Sequence, residues 1–190
     1  MSPETNTTPT LEQALPWIPM VLDMTERLTA LIPEEKLSWR LPDPSGRWAF
    51  SLGELALHCA DSRRMFARQL AGDASETGYW SDGPGEGGVW KFRDTPGREE
   101  ILRSLRETRA ELQLFLDRPA ADMTAITDGA RATFARALEQ MKSKGQDSSA
   151  AERRGPPNIV RILMAVVAHE NGHRAVLQTM LRLQGINPPE

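Results

Sequence analysis

The stretch NIVRILMAVVAHENGHRAVLQTMLRLQG, residues 158–185, decides the fold. Ile162, Val166, His169, His173, Leu177, Met180 and Leu181 return every three or four residues, the spacing of one helix face. Asn158 is a cap residue at its start and Gly185 a stop at its end, so the spacing predicts one long helix between them. The segment is apolar around much of its girth, which predicts a central position among other helices.

Upstream, Lys142 to Pro157 is polar and ends in Gly-Pro-Pro, which reads as a linker or surface loop. A shorter helix is expected from Asp128 to Met141, with Phe134, Leu138 and Met141 on one face. Another is marked by Ile101, Leu105, Thr108, Leu112 and Leu116, with Thr95-Pro96 as its start signal and Pro119 as its end. The glycine-rich stretch 72–95 carries Tyr79, Trp80 and Trp90, which either cover a site or pack over an open end of the bundle.

The clearest helix start lies at Ser51, where Ser51 and Glu54 form an S-x-x-E capping box flanked by the staple pair Phe50 and Leu55. Leu52, Leu55, Cys59, Phe66 and Leu70 mark its buried stripe, Gly72 ends it, and His58 sits beside that stripe. The first helix follows Leu11, Leu15, Ile18, Leu22, Leu28 and Ile32. Pro16 and Pro19 delay its regular part to about Trp17–Met20. Residues 38–50, with Trp39 and Trp48, read as an irregular connection, and residues 1–10 as a disordered tail before one domain over 11–190. Period-two alternation is almost absent, so the fold class is all-α.

The chain has 190 residues, 39% of them hydrophobic, enough for one sizeable core. Its net charge of −3 is spread along the sequence, without the basic face that nucleic acid demands. A single cysteine, Cys59, cannot form an internal disulfide. The N-terminal stretch lacks Lys and Arg over Ser2–Thr10 and reads as neither a signal peptide nor a membrane span, so a cytoplasmic location is expected. The wide apolar girth of the helices suggests a homodimer.

His58, His169 and His173 are the only histidines. His169 and His173 stack on one helix face, and two imidazoles at that spacing can share a metal at ~2.0–2.1 Å from each nitrogen. Among apolar neighbours such as Val166 and Leu177 they need partners. A metal is one; backbone carbonyls, carboxylates and water are the others. His169-Glu170-Asn171-Gly172-His173 also matches the H-E-x-x-H string of zinc proteases, in which the glutamate is a general base. Downstream of His173, however, Glu190 is the only carboxylate side chain, and the strands that align a peptide substrate are not foreseen.

Trp48-Ala-Phe-Ser-Leu-Gly-Glu-Leu-Ala-Leu-His58-Cys-Ala-Asp61 resembles the second helix of the DinB-like superfamily. His169-Glu-Asn-Gly-His173-Arg174 and the tail from Met180 to Pro189 resemble its fourth helix and terminus. The resemblance covers roughly residues 11–117 and 158–189. Segment 118–157 is an extra, and Ala175-Val176 stands where many members carry Gly-Gln. It implies an antiparallel four-helix bundle in which His58, His169 and His173 bind zinc, nickel or a similar divalent ion. Characterised relatives include transferases and isomerases that use low-molecular-weight thiols such as bacillithiol or mycothiol. The expectation is therefore a metal-dependent thiol S-transferase or hydrolase acting on a small molecule, with Glu170 and Asp61 as candidate catalytic carboxylates. Asp61, three residues after His58, either orients a ligand or is a surface carboxylate. The alternatives are a non-catalytic, stress-related bundle with a structural metal and, behind both, an H-E-x-x-H protease.

Overall fold

In the computed structural model the structure describes residues 8–42, 50–72 and 96–188, whose regular elements are all helices, with no strand among these residues. The helices are α1 (Leu11–Ala14), α2 (Trp17–Ala30), α3 (Leu52–Ala71), α4 (Arg98–Leu116), α5 (Asp128–Ser143), α6 (Ser149–Arg154) and α7 (Ile159–Leu183). Residues 73–95, with Tyr79, Trp80, Trp90 and Thr95, lie outside the described residues, as does Trp48.

The caps explain the helix boundaries. Ser51 and Glu54 form the expected capping box, and Glu54 is also gripped by Arg40 through two bonds of 2.5 and 2.6 Å. Two further free amides of α3, on Leu52 and Gly53, donate to the carbonyls of Trp39 and Leu37. Phe50 and Leu55, the staple pair, are buried in one cluster. Gly72 then ends α3 in the left-handed region, at φ 89°. Asn158 caps α7 by accepting from the Arg161 amide at 3.0 Å.

Three boundaries differ from the sequence expectation. Thr10 caps α1, and the Pro9 carbonyl accepts from the Ala120 amide, so chain order begins before Leu11. Helix α4 starts at Arg98, and its cap arrives from across the bundle, because the Glu34 carboxylate accepts from the Arg98 amide. Inside the stretch read as a linker, α6 forms one short helix. It carries no apolar stripe to signal it and is tied by local bonds such as Ser148 to Glu152.

Four long helices make the bundle, in the order α2, α7, α3, α4 around its axis. Their directions come from which ends share a core. One cluster joins Leu28 of α2, Leu55 of α3, Ile101 of α4 and Met180 of α7. The other joins Ile18 of α2, Leu70 of α3, Leu112 of α4 and Ile159 of α7. Thus α2 and α7 run together, and α3 and α4 run the opposite way together. The bundle is all-α as expected, but only two of its four neighbouring pairs are antiparallel. A parallel α3–α4 pair needs a return along the helix axis of ~30 Å for a helix of 20 residues. Segment 72–97 supplies that length of chain. Helix α7 is one stave of the four rather than a central rod, with Met164 and Leu183 exposed. At Gly129 the start of α5 crosses the end of α3 so closely that a Cβ would lie 2.5 Å from the Gln69 carbonyl oxygen.

Between the two apolar clusters lies a polar layer built on Arg63, whose side chain is wholly buried. Its Nε and Nη2 donate to the two oxygens of Glu170 on α7, at 2.5 and 2.9 Å. Nη2 also reaches the Leu22 carbonyl on α2 at 2.8 Å, and Nη1 the Leu105 carbonyl on α4 at 3.0 Å and Glu26 at 3.3 Å. All five guanidinium hydrogens therefore have acceptors, drawn from the three other staves. The Thr25 hydroxyl adds a 2.6 Å bond to Glu170. Burial works against the Arg63 charge, but the hydrogen bonds and charge of Glu170 outweigh it and raise its pKa.

Removing one half of this pair leaves a buried, unpaired charge. Arg63→Met is expected to lower unfolding free energy by ~3–5 kcal/mol, and Arg63→Met/Glu170→Leu to recover most of that loss. Urea denaturation of both variants is the measurement. A single variant costing under ~1 kcal/mol would refute the role given to the pair.

Candidate metal centre

The same layer that holds Arg63 and Glu170 carries their sequence neighbours Ser62 and His169 onto the adjoining face of α3 and α7. His58 comes from the second turn of α3, after the Ser51 cap has set where that helix begins. His169 and His173 come from successive turns of α7. Because α3 and α7 run antiparallel, residues 58 and 62 of one meet 173 and 169 of the other.

The three rings converge. The Nε2 atoms of His58 and His169 are 3.1 Å apart, and those of His173 and His169 also 3.1 Å. One ligand atom from each residue lies within 4.8 Å of the other two. The Ser62 hydroxyl is 3.4 Å from His169 Nε2. Phe50 flanks the cluster, its centroid 5.0 Å from that of His58, and Phe66 lies 6.4 Å from His169. His58 is buried, while His169 and His173 are half-buried.

This donor set fits a divalent ion. A neutral imidazole offers either one proton or one lone pair at Nε2. The single His169 Nε2 faces two other Nε2 atoms and a hydroxyl, more than one such position can satisfy by hydrogen bonding. A cation bound by all three lone pairs at ~2.0–2.1 Å with near-tetrahedral angles needs nitrogens ~3.3 Å apart, close to what is found. The protonation states agree. Burial, reinforced by His173 and His169, pushes the His58 pKa down to about 3. Burial and the His169 charge bring His173 down to about 4, against an opposing pull from Glu170. Burial lowers His169 as well.

A family model described as the DinB superfamily matches residues 20–177, a span that includes all three histidines. The chain belongs to the DinB superfamily. The matched span also takes in the segment 118–157, which lay outside the sequence resemblance. A search of curated proteins found no match. The family and the three-histidine cluster together fit a metal-binding DinB-like protein.

The candidate carboxylates are placed differently from the histidines. Both oxygens of Glu170 bond Arg63, and one also accepts from Thr25, so the group set out as a general base is the anionic half of a structural pair. Asp61 lies one turn after His58, with its carboxylate 3.9 Å from Arg64. Cys59, next to His58 in sequence, turns into the core, where burial pushes its thiol well above the usual range. Sequence reasoning missed Ser62, Arg63 and Thr25. The signal for Arg63 was its place on the core stripe between Cys59 and Ala67.

The depressed imidazole pKa values tie stability to pH. Below ~6.5 the unfolded chain protonates its histidines while the folded chain resists until about 4 and about 3. The unfolded state then binds more protons, so stability is full above ~6.5 and falls as pH drops through that value. Chelator-treated protein should therefore show a falling urea midpoint from about pH 7 to about pH 5, and His58→Leu a shallower fall. Coincident slopes for the two proteins would mean that His58 is not held neutral.

Proposed function

We propose that this chain is a metal-dependent enzyme, a thiol S-transferase of the bacillithiol or mycothiol type or a hydrolase, acting on a small electrophilic molecule with zinc or nickel at His58, His169 and His173. The observation that carries the reading is the convergence of three uncharged imidazoles with no carboxylate or thiolate among them. Three protein ligands leave coordination open to an exogenous group, the pattern of catalytic rather than structural zinc. Bound there, a divalent ion supplies Lewis acidity that favours the anionic form of a thiol or water near neutral pH.

The chain's own residues fit this division of labour. Its one thiol, Cys59, is walled into the core and stays protonated, so a thiol nucleophile must come from solution. The neutral imidazoles hold the ion without cancelling its charge. Phe50 and Phe66 give the cluster an apolar flank that limits water on that side. Asp61 remains the nearest candidate in sequence for orienting the His58 ring. The H-E-x-x-H protease reading is not carried forward, because it needs a free Glu170 and this glutamate is fully engaged.

Purified protein loaded with zinc or nickel should turn over monobromobimane with a low-molecular-weight thiol cosubstrate. His173→Ala should lower that rate by more than ~100-fold, beyond what changes in outer-shell partners do. Metal content is expected at one ion per chain and is read by elemental analysis. A rate that survives chelation, or that His173→Ala leaves intact, removes the enzymatic reading. A melting temperature that drops on chelation without any turnover favours a structural ion instead.

A further inference from the structure

A buried hydroxyl needs somewhere to place its proton, and helical serines and threonines ordinarily use the carbonyl four residues back. In this chain Thr29, Thr108 and Thr179 do so at 2.9 Å, and Thr25 at 3.3 Å in addition to its bond to Glu170. Ser62 does not. It sits in the middle of α3, its residue is 1% exposed, and its one polar contact among the described residues is His169 Nε2 at 3.4 Å. That contact points the hydroxyl at the point where the three Nε2 atoms meet.

When His169 Nε2 gives its lone pair to a cation, it can no longer accept from Ser62. The hydroxyl proton then loses the one acceptor it has among the described residues, and it lies beside the nitrogens that would hold the ion. We infer that Ser62 donates a hydrogen bond to the anionic donor atom of the small ligand that completes the site, a thiolate sulfur or an oxygen anion. This rests on the metal-dependent reading above and deepens it. Ser62 selects for a charged donor atom and orients it, without itself holding the ion. Its neighbour Arg63, bonded to all three other staves, fixes the turn of α3 from which the hydroxyl projects.

The test uses cobalt(II) as a spectroscopic ion in wild type, Ser62→Ala and Ser62→Thr, titrated with 2-mercaptoethanol and, separately, with azide. Wild type and both variants are expected to take up one cobalt per chain. Ser62→Ala should bind each anion about tenfold more weakly, the loss of one hydrogen bond to a charged group, and Ser62→Thr should recover most of it. Equal affinity of Ser62→Ala and wild type for either anion overturns the inference, as does a Ser62→Ala protein that has lost its cobalt. A wild type that takes up no cobalt overturns the metal reading itself, and this inference with it.

Discussion

Arg63 and Glu170 form the contact on which the rest of this bundle depends. Apolar side chains set how tightly helices pack but discriminate poorly between neighbouring registers, since one leucine row resembles the next. A guanidinium with five fixed N–H directions does not share that tolerance. Sliding α7 along α3 by one turn moves it ~5.4 Å and strands both charges in the core, at a cost of several kcal/mol. The pair therefore contributes less to raw stability than to the choice of one arrangement, with an apolar cluster above it and another below. Metal-site geometry follows from that choice. Ser62 and His169 adjoin Arg63 and Glu170 in sequence, and His58 and His173 lie one turn further along the same two helices, so locking one layer aligns the next.

How much of this was legible depends on whether the signal was local. The Ser51–Glu54 box, the Asn158 cap and the stop at Gly72 are short-range chemistry, and each lies where the sequence put it; the helix expected over Asp128–Met141 also starts there and runs two residues further, to Ser143. The meeting of His58 with His169 and His173 was readable because histidine is scarce here and each of the three fell on or beside an inward stripe. Helix direction is a different matter. Nothing in the stripe of α3 or α4 says whether the two run parallel. That direction comes from which ends of α3 and α4 share a core, a long-range fact with no local mark in either helix. Arg63 and Glu170 were hidden for a related reason. Each breaks an apolar stripe by itself, and only the pairing across α3 and α7 makes sense of either. Helix α6 left no mark at all, because a six-residue helix held by its own hydrogen bonds buries too little to write a hydrophobic pattern.

The placement of charge also separates two kinds of histidine site. Carboxylates near a metal partly neutralise it and make its remaining ligands less acidic. Here the anion nearest the ligands in sequence is Glu170, and Arg63 balances it with a full positive charge at 2.5 Å. The three rings themselves are uncharged at neutral pH, since burial keeps them from taking protons. An ion in that setting keeps its charge for whatever ligand arrives from solution.

The string H-E-x-x-H shows how little a motif specifies without its surroundings. On any helix it places two imidazoles one above the other and turns the intervening carboxylate about 100° away from the first of them. What that carboxylate does depends on what the helix packs against on that side. In a protease it faces the substrate's water. In this bundle α7 presents it to α2 and α3, where Thr25 and Arg63 consume every oxygen it has. The letters fix the local geometry of His169, Glu170 and His173, and the neighbouring helices convert the same glutamate from a base into half of a lock. Any chemistry assigned to this site must therefore draw its proton acceptor from elsewhere: from the exogenous ligand, from solvent, or from the half-buried edge of the cluster.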